Sequence, residues 1–237
     1  MNAKMKVLAL ALLGLAGYAG SAVAGCPSSP VPPWSVNSPF QGVTTIASPG
    51  LDGTPCRLDS AISAGASGFA SAQVEDDTPT AEVNYRAQFM LNIDALAAPT
   101  LITVANVFSA TSAGSGTGIN FSIFGDGGGG WRLSYVMVDS GDPSGFFSGS
   151  VPLAAGSQHI EFALMSIGAS SAFSLWNNNN VEGSPDITHT VNNTSVAGID
   201  SAFLGLAAPS DGFVSTYAGT AAQFDRFDSR RTTFIGF

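Results

Sequence analysis

Apolar and polar residues alternate with a period of two in several stretches of this chain, as in strands that bury one face. From Val83 to Leu91 every odd-numbered position is apolar. The same alternation occurs in 119–123, 131–137 and 160–164. No long stretch has the 3.6-residue period of a helix. The pattern predicts an all-β protein.

Turn-forming residues separate these strands at intervals of roughly 10 to 15 residues, which is typical of two packed sheets or one closed sheet. A parallel sheet would need crossover helices of about a dozen residues, and the sequence predicts none. We therefore expect antiparallel sheets. The turn clusters are 114–118, 125–130, 139–145, 177–183, 192–194 and 209–212.

The first 24 residues have the order of an export signal. Lys4 and Lys6 precede an apolar run over 7–16, and the small residues of 20–24 follow it. We expect cleavage after Ala24. The apolar run is too short to span a membrane, and no later stretch has about 18 consecutive apolar residues. The sequence thus predicts an exported protein, extracellular or periplasmic, without a membrane span.

The two cysteines allow two interpretations. Because the count is even and oxidising compartments preserve disulfides, Cys26 and Cys56 are expected to form one. Alternatively, Val23-Ala24-Gly25-Cys26 resembles a lipobox, and Cys26 would then carry a lipid anchor and leave Cys56 alone.

A proline-rich arm is predicted to precede the main domain. Seven of the thirteen prolines lie between Cys26 and Cys56, which excludes regular helix there. We divide the chain into the signal peptide 1–24, a disulfide-closed arm 25–65 and a β-sandwich domain 66–237. Trp34, Phe40 and Ile46 are expected to hold the arm against the domain.

Charge restricts the partners. Both lysines lie in the signal, so residues 25–237 contain six arginines and seventeen acidic residues, a net charge of −11. Such a chain lacks the basic patch that binds phosphates, and anionic membranes repel it. We expect no nucleic-acid partner. The composition leaves the oligomeric state open.

Two segments resemble a known family. The first, from Asp76 to Phe89, reads Asp-Asp-Thr-Pro-x-x-Glu-x-x-Tyr-Arg-x-x-Phe, and the second is the Asp-, Arg- and Phe-rich run from Phe224 to Gly236. Together they resemble bacterial exported proteins with a concanavalin A-like, laminin G-like jelly roll, over residues 69–237. The resemblance implies a two-sheet antiparallel jelly-roll sandwich whose first and last strands lie side by side. It also implies binding of carbohydrate or surface partners without catalysis.

The sequence offers few catalytic groups. His159 and His189 are interpreted as ordinary strand or surface residues. No Gly-x-Ser-x-Gly or zinc motif occurs. The Glu-x-Asp-x-x-Glu pattern of some glycosidases begins at Glu75 but fails at Thr80. We therefore predict no enzymatic activity, with a glycoside-active enzyme as the third alternative.

The predicted function is binding of a glycan or another cell-surface partner, and the alternative is a self-associating envelope or matrix component. Candidate ligand-binding residues are an aromatic ring and the amide run beside it: Trp176, Asn177, Asn178, Asn179 and Asn180.

No cofactor is predicted, although acidic residues at the two ends of the domain offer a weak calcium site if the first and last strands pair. The alternative is that Arg86, Arg226, Arg230 and Arg231 neutralise these acids. The candidate metal ligands are Asp76, Asp77, Asp225 and Asp228, with Glu75 beside them.

Overall fold

Two antiparallel sheets of seven strands each pack face to face in the computed structural model. The structure describes residues 26, 34–37, 39–112 and 116–237. The predicted signal peptide, 1–24, lies outside the described residues. The predicted jelly-roll sandwich is confirmed.

Sheet A begins at an edge formed by residues just after the proline-rich run. Its order in space is β1 (Val36–Asn37), β4 (Ser71–Asp76), β13 (Ser201–Ala207), β6 (Ile102–Ser112), β7 (Gly116–Asp126), β8 (Trp131–Val138) and β9 (Phe146–Pro152).

Sheet B contains the strands that carry most of the charged side chains discussed below. Its order is β12 (Ile187–Asn192), β11 (Ser170–Asn177), β10 (Gln158–Met165), β5 (Asn84–Asn92), β14 (Ala222–Arg230), β3 (Arg57–Ile62) and β2 (Gly42–Ala47).

Aromatic rings from both sheets fill the core. Phe108 of sheet A stacks on Phe89 of sheet B with ring centroids 5.5 Å apart, and Phe162 approaches Phe108 to 5.2 Å. All three are fully buried. Burying side chains of this size is the main stabilising contribution to such a sandwich.

One short helix, α1 (Asp211–Tyr217), begins inside the predicted turn 209–212 and extends five residues beyond it. The Ser210 side chain accepts a hydrogen bond from the Phe213 N–H and so caps its first turn. Phe213 and Tyr217 are four residues apart, lie on one helix face and are buried in the core. The helix connects sheet A to sheet B after β13.

Residues of the predicted arm contribute strands to both sheets. β1 pairs with β4, and β2 pairs with β3. The predicted disulfide is present between Cys26 and Cys56, so the Cys26 sulfur is already bonded and does not fit the lipid-anchor alternative. The Trp34 ring packs 4.4 Å from Phe227, as expected for an arm contact, whereas Phe40 is exposed.

The strand predicted at 83–91, β5, pairs with the last strand, β14, in sheet B, as the resemblance implies for the first and last strands. β4 precedes β5 but belongs to sheet A and does not pair with β14. The described part of the chain contains no helix long and apolar enough to cross a membrane.

Candidate functional site

The outer face of sheet B is polar at its centre. Tyr85, Ala87 and Phe89 of β5 point into the core, so alternation directs Arg86 and Gln88 outward. On β10, Ile160 and Phe162 point inward in the same way. The outward residues of this strand are His159 and Glu161, and both are buried although they lie outside the core.

Strand register arranges these outward side chains in rows. Glu161 lies opposite Gln88, and Gln88 lies opposite Asp228 of β14. One row further along, His159 lies opposite Met90, which in turn lies opposite Asp225. Directly opposed side chains on neighbouring strands are close enough to interact.

Most arginines lie on this sheet. Of the six arginines in residues 25–237, five lie in or directly after strands of sheet B, and the sixth, Arg132, lies in sheet A. Each of the five forms an ion pair with a carboxylate of the protein, so an anionic ligand here must compete with those carboxylates. The five are Arg57, Arg86, Arg226, Arg230 and Arg231.

Arg86 is held between carboxylates and aromatic rings. Its guanidinium is 3.7 Å from Glu161 and 3.3 Å from Glu182. Its Cζ lies 5.1 Å from the centroid of Trp176 and 5.4 Å from that of Phe234. The stacked rings and the ion pairs fix the orientation of the guanidinium on the face.

His159 lines a pocket of about 270 Å³ together with Met90, Asp52, Ser157, Asn178 and Phe237. Its side chain is 4% exposed, and neither ring nitrogen has a hydrogen-bond partner among the residues that the structure describes. A buried polar group without a partner at a pocket is a strong indication of a functional site.

The pKa of His159 is lowered from its ordinary 6.5 to about 4, mainly by burial and also by the nearby Arg226, while Asp52 opposes the shift. The imidazole is therefore neutral at physiological pH. A neutral ring can accept a proton or donate a hydrogen bond from its single N–H.

A β-bulge brings a cation to this pocket. The register of β14 against β5 shifts between Asp225 and Asp228, and Arg226 within the bulge has a φ of 48°. Bulges re-aim side chains and are common beside active sites. The Arg226 guanidinium is 3.1 Å from Asp52, which lines the pocket.

Residues 232–237, which we call the strap, cross this face after β14. The N–H groups of Ile235 and Gly236 donate hydrogen bonds of 3.0 and 2.9 Å to the Glu161 carboxylate. The Phe237 ring lies 4.3 Å from that of His159, and Phe234 lies 5.4 Å from Trp176. The strap is what buries the polar centre of the face.

The structure places Trp176 on this face, although its ring is 2% exposed and its Nε1 donates to the Val181 carbonyl. The expected exposure of this ring is therefore wrong while the strap is in place. The asparagine side chains hydrogen-bond to the protein itself: Asn177 to Pro152, Asn178 to Gln158, Asn179 to Ser184 and Asn180 to Phe237.

The candidate calcium ligands are divided between the sheets. Asp76 ends β4 in sheet A, and Asp77 follows it, whereas Asp225 and Asp228 lie on β14 in sheet B. Over 34–37, 39–112 and 116–237, together with Cys26, no group of three or more acidic, histidine or cysteine side chains could hold a metal ion. Of the proposed arginine network, the Arg230–Asp228 pair forms, at 2.9 Å.

The sequence matches no protein-family model and no curated protein. Solved structures do resemble the fold. An endo-β-1,4-glucuronan lyase from the fungus Trichoderma reesei aligns over 84% of this chain and 91% of its own, with a TM-score of 0.55 and 15% identity.

Two alginate lyases are similar at the same level. One from Pseudomonas aeruginosa aligns over 80% of this chain and 86% of its own, with a TM-score of 0.53 and 12% identity. The alginate lyase Aly36B, solved with an alginate tetrasaccharide, aligns over 81% and 84%, with a TM-score of 0.56 and 11% identity.

These similarities correct the predicted function. The jelly roll of this chain is similar to those of polysaccharide lyases, which overturns the prediction of a noncatalytic binding protein without enzymatic activity. The supposed family is corrected to the coarser statement that the fold is a jelly-roll sandwich. A sequence motif of paired carboxylates does not include His159. The signal that could have identified this residue was its outward position on β10.

Proposed function

We propose that this chain is a polysaccharide lyase that binds a uronate-containing polymer on the outer face of sheet B and cleaves it by β-elimination. The observation that carries the proposal is His159, a buried neutral imidazole with two unpaired ring nitrogens at a pocket on the arginine-rich face. The glucuronan and alginate lyases of similar fold support the substrate class.

The pocket contains the groups that such a reaction needs. The carboxyl group of a uronate acidifies the neighbouring C5–H, and a cation at the carboxylate lowers the cost of removing that proton. Arg226 supplies positive charge beside His159, and a guanidinium is a suitable donor for a carboxylate. Gln88 lies one row away, and its buried Oε1, unpaired in the described part of the chain, is an acceptor suited to a sugar hydroxyl.

His159 is the proton acceptor in this proposal. The C5–H bond breaks, its electron pair forms the C4=C5 double bond, and the C4–O4 bond breaks. The proton moves to the imidazole, and the departing oxygen takes a proton from water. The hydroxide that remains then takes the proton from the imidazolium, which restores the neutral ring. The tyrosines that the structure describes, Tyr85, Tyr135 and Tyr217, are buried in the core, so proton transfer at this face is assigned to the histidine.

An exported location, extracellular or periplasmic, belongs to the same proposal. A disulfide between Cys26 and Cys56 persists in oxidising compartments. A released or envelope-associated enzyme would also meet polysaccharides of the cell surface or surroundings directly. Glycan is therefore the proposed partner.

The test is an assay of the purified protein on alginate, polyglucuronate and polygalacturonate, with a neutral β-glucan as the control. The C4=C5 double bond is conjugated with the carboxylate and absorbs in the ultraviolet. We expect absorbance to rise with at least one uronate polymer and not with the glucan. New reducing ends without ultraviolet absorbance would indicate hydrolysis, and no product from any uronate polymer would overturn the proposal.

A further inference from the structure

The strap covers unpaired polar groups as well as the Trp176 ring. Beneath and beside it lie the buried Nε of Arg86, Oε1 of Gln88 and both ring nitrogens of His159, none with a hydrogen-bond partner in the described ranges. Leaving a buried polar group without a partner is unfavourable. The face is thus better suited to a polar ligand than to the strap.

The strap is attached by few contacts. It has no regular secondary structure, and the Phe237 ring is 54% exposed. Besides the two hydrogen bonds to Glu161, the Asn180 amide pairs with the Phe237 backbone at 2.8 and 3.1 Å, and the Arg230 guanidinium donates to the Phe234 carbonyl at 3.2 Å. Segments held by few buried apolar contacts open at low free-energy cost.

The strap can lie against sheet B, its closed position, only with a glycine at residue 236. Its φ is 68°, and a Cβ there would lie 2.6 Å from the Asn180 Oδ1. A larger residue would therefore strain the backbone and displace the asparagine that binds Phe237.

We propose that the strap is an autoinhibitory segment that occupies the polymer-binding track of sheet B and is displaced by the substrate. This inference rests on the proposed function. With the strap displaced, the Trp176 ring becomes available to stack on a sugar, and Arg86 can exchange the exposed Glu182 for a uronate carboxylate. The polymer and the strap thus compete for the same rings and the same guanidinium.

Displacement also changes His159. Phe237 packs on its ring, and burial is the main cause of its lowered pKa. Removing Phe237 rehydrates the imidazole and moves its pKa back toward the ordinary value. The ring is therefore a stronger base in the open state than in the closed one.

The experiment compares full-length variants that weaken the strap with matched controls. Gly236→Val and Phe234→Ala disturb the strap. Gly65→Val is the control for the first, since Gly65 has a φ of 71° and no neighbour within 4 Å of its Cβ position. Phe69→Ala is the control for the second, since Phe69 is 90% exposed. KM and kcat on the polymer are measured together with hydrogen exchange at the Ile235 and Gly236 amides.

We expect the two strap variants to lower KM by roughly 10-fold or more with little change in kcat. When the open state of the wild type is populated below about 10%, its apparent affinity for the polymer is reduced by that fraction, and opening the strap removes this reduction. In the wild type, saturating polymer should speed exchange at both amides. An active wild type with unchanged KM in the variants and protected amides would overturn the strap while the proposed lyase stands. Inactivity of the wild type and all variants on every uronate polymer would overturn both.

Discussion

The Arg86 guanidinium lies 3.7 Å from the Glu161 carboxylate on the neighbouring strand, and both side chains are almost fully buried. Arg86 has a second partner, Glu182, at 3.3 Å, but that carboxylate is 61% exposed. The same cation therefore makes one buried and one solvated ion pair. Their contributions to stability should differ accordingly.

Glu161→Gln is expected to destabilise the protein by about 3 to 5 kcal/mol, because it removes a buried charge partner and weakens two backbone hydrogen bonds. Glu182→Gln should cost under about 1 kcal/mol, since exposed pairs contribute little. Urea denaturation of both variants measures this. Equal losses would contradict the buried position of Glu161.

Phe108→Ala should destabilise the fold by about 3 to 5 kcal/mol, because Phe108 is fully buried and stacks between the sheets. Phe69→Ala removes an equally large but exposed ring and should change stability by under about 0.5 kcal/mol. Thermal and denaturant unfolding give both values. A small loss for Phe108→Ala would contradict the core described above.

Removing the disulfide by the Cys26→Ser, Cys56→Ser double substitution should cost roughly 3 to 4 kcal/mol, from the entropy of the loop that the bond closes. The intact mass of the purified wild type should show no free thiols after alkylation without reductant. Alkylation of both cysteines under these conditions, or acyl mass on Cys26, would contradict the bond.

Stability should fall as the pH decreases through the titration of His159. Its pKa is about 4 in the folded protein against an ordinary 6.5, so the unfolded chain binds the proton first. The stability that the neutral ring contributes is fully present above about pH 6.5 and is lost as the pH falls toward 4. This loss of unfolding free energy amounts to at most about 3 kcal/mol.

The check is the difference in unfolding free energy between about pH 7.5 and about pH 4.5. This difference should be smaller in His159→Gln than in the wild type, because the variant lacks the ring whose pKa is lowered. The same difference in His159→Gln and the wild type would show that His159 does not titrate as described.

The strands could be predicted because their information is local. Alternation identified β5, β7, β8 and β10, and the same alternation puts His159 on the outward side of β10. Val83 is an exception: it precedes β5 and is exposed. The short helix α1 was missed because the residues at its start, 209–212, are all typical of turns, so the sequence predicts a turn there.

The site could not be predicted because its environment depends on distant residues. Whether His159 and Trp176 are exposed depends on Phe237 and Phe234, which are more than 50 positions away in sequence. A bulge in β14 places the charged Arg226 near His159, and the alternation of apolar and polar residues does not reveal this bulge. Only the folded register brings these groups together.

The most direct test of the proposed lyase is the initial rate of unsaturated-product formation by His159→Gln, compared with His189→Gln and the wild type on the preferred uronate polymer. The account predicts that His159→Gln loses roughly 100- to 10,000-fold in rate, as expected when a general base is removed, while His189→Gln retains the wild-type rate. A folded His159→Gln variant that retains the wild-type rate would contradict the assignment of the active site to the outer face of sheet B.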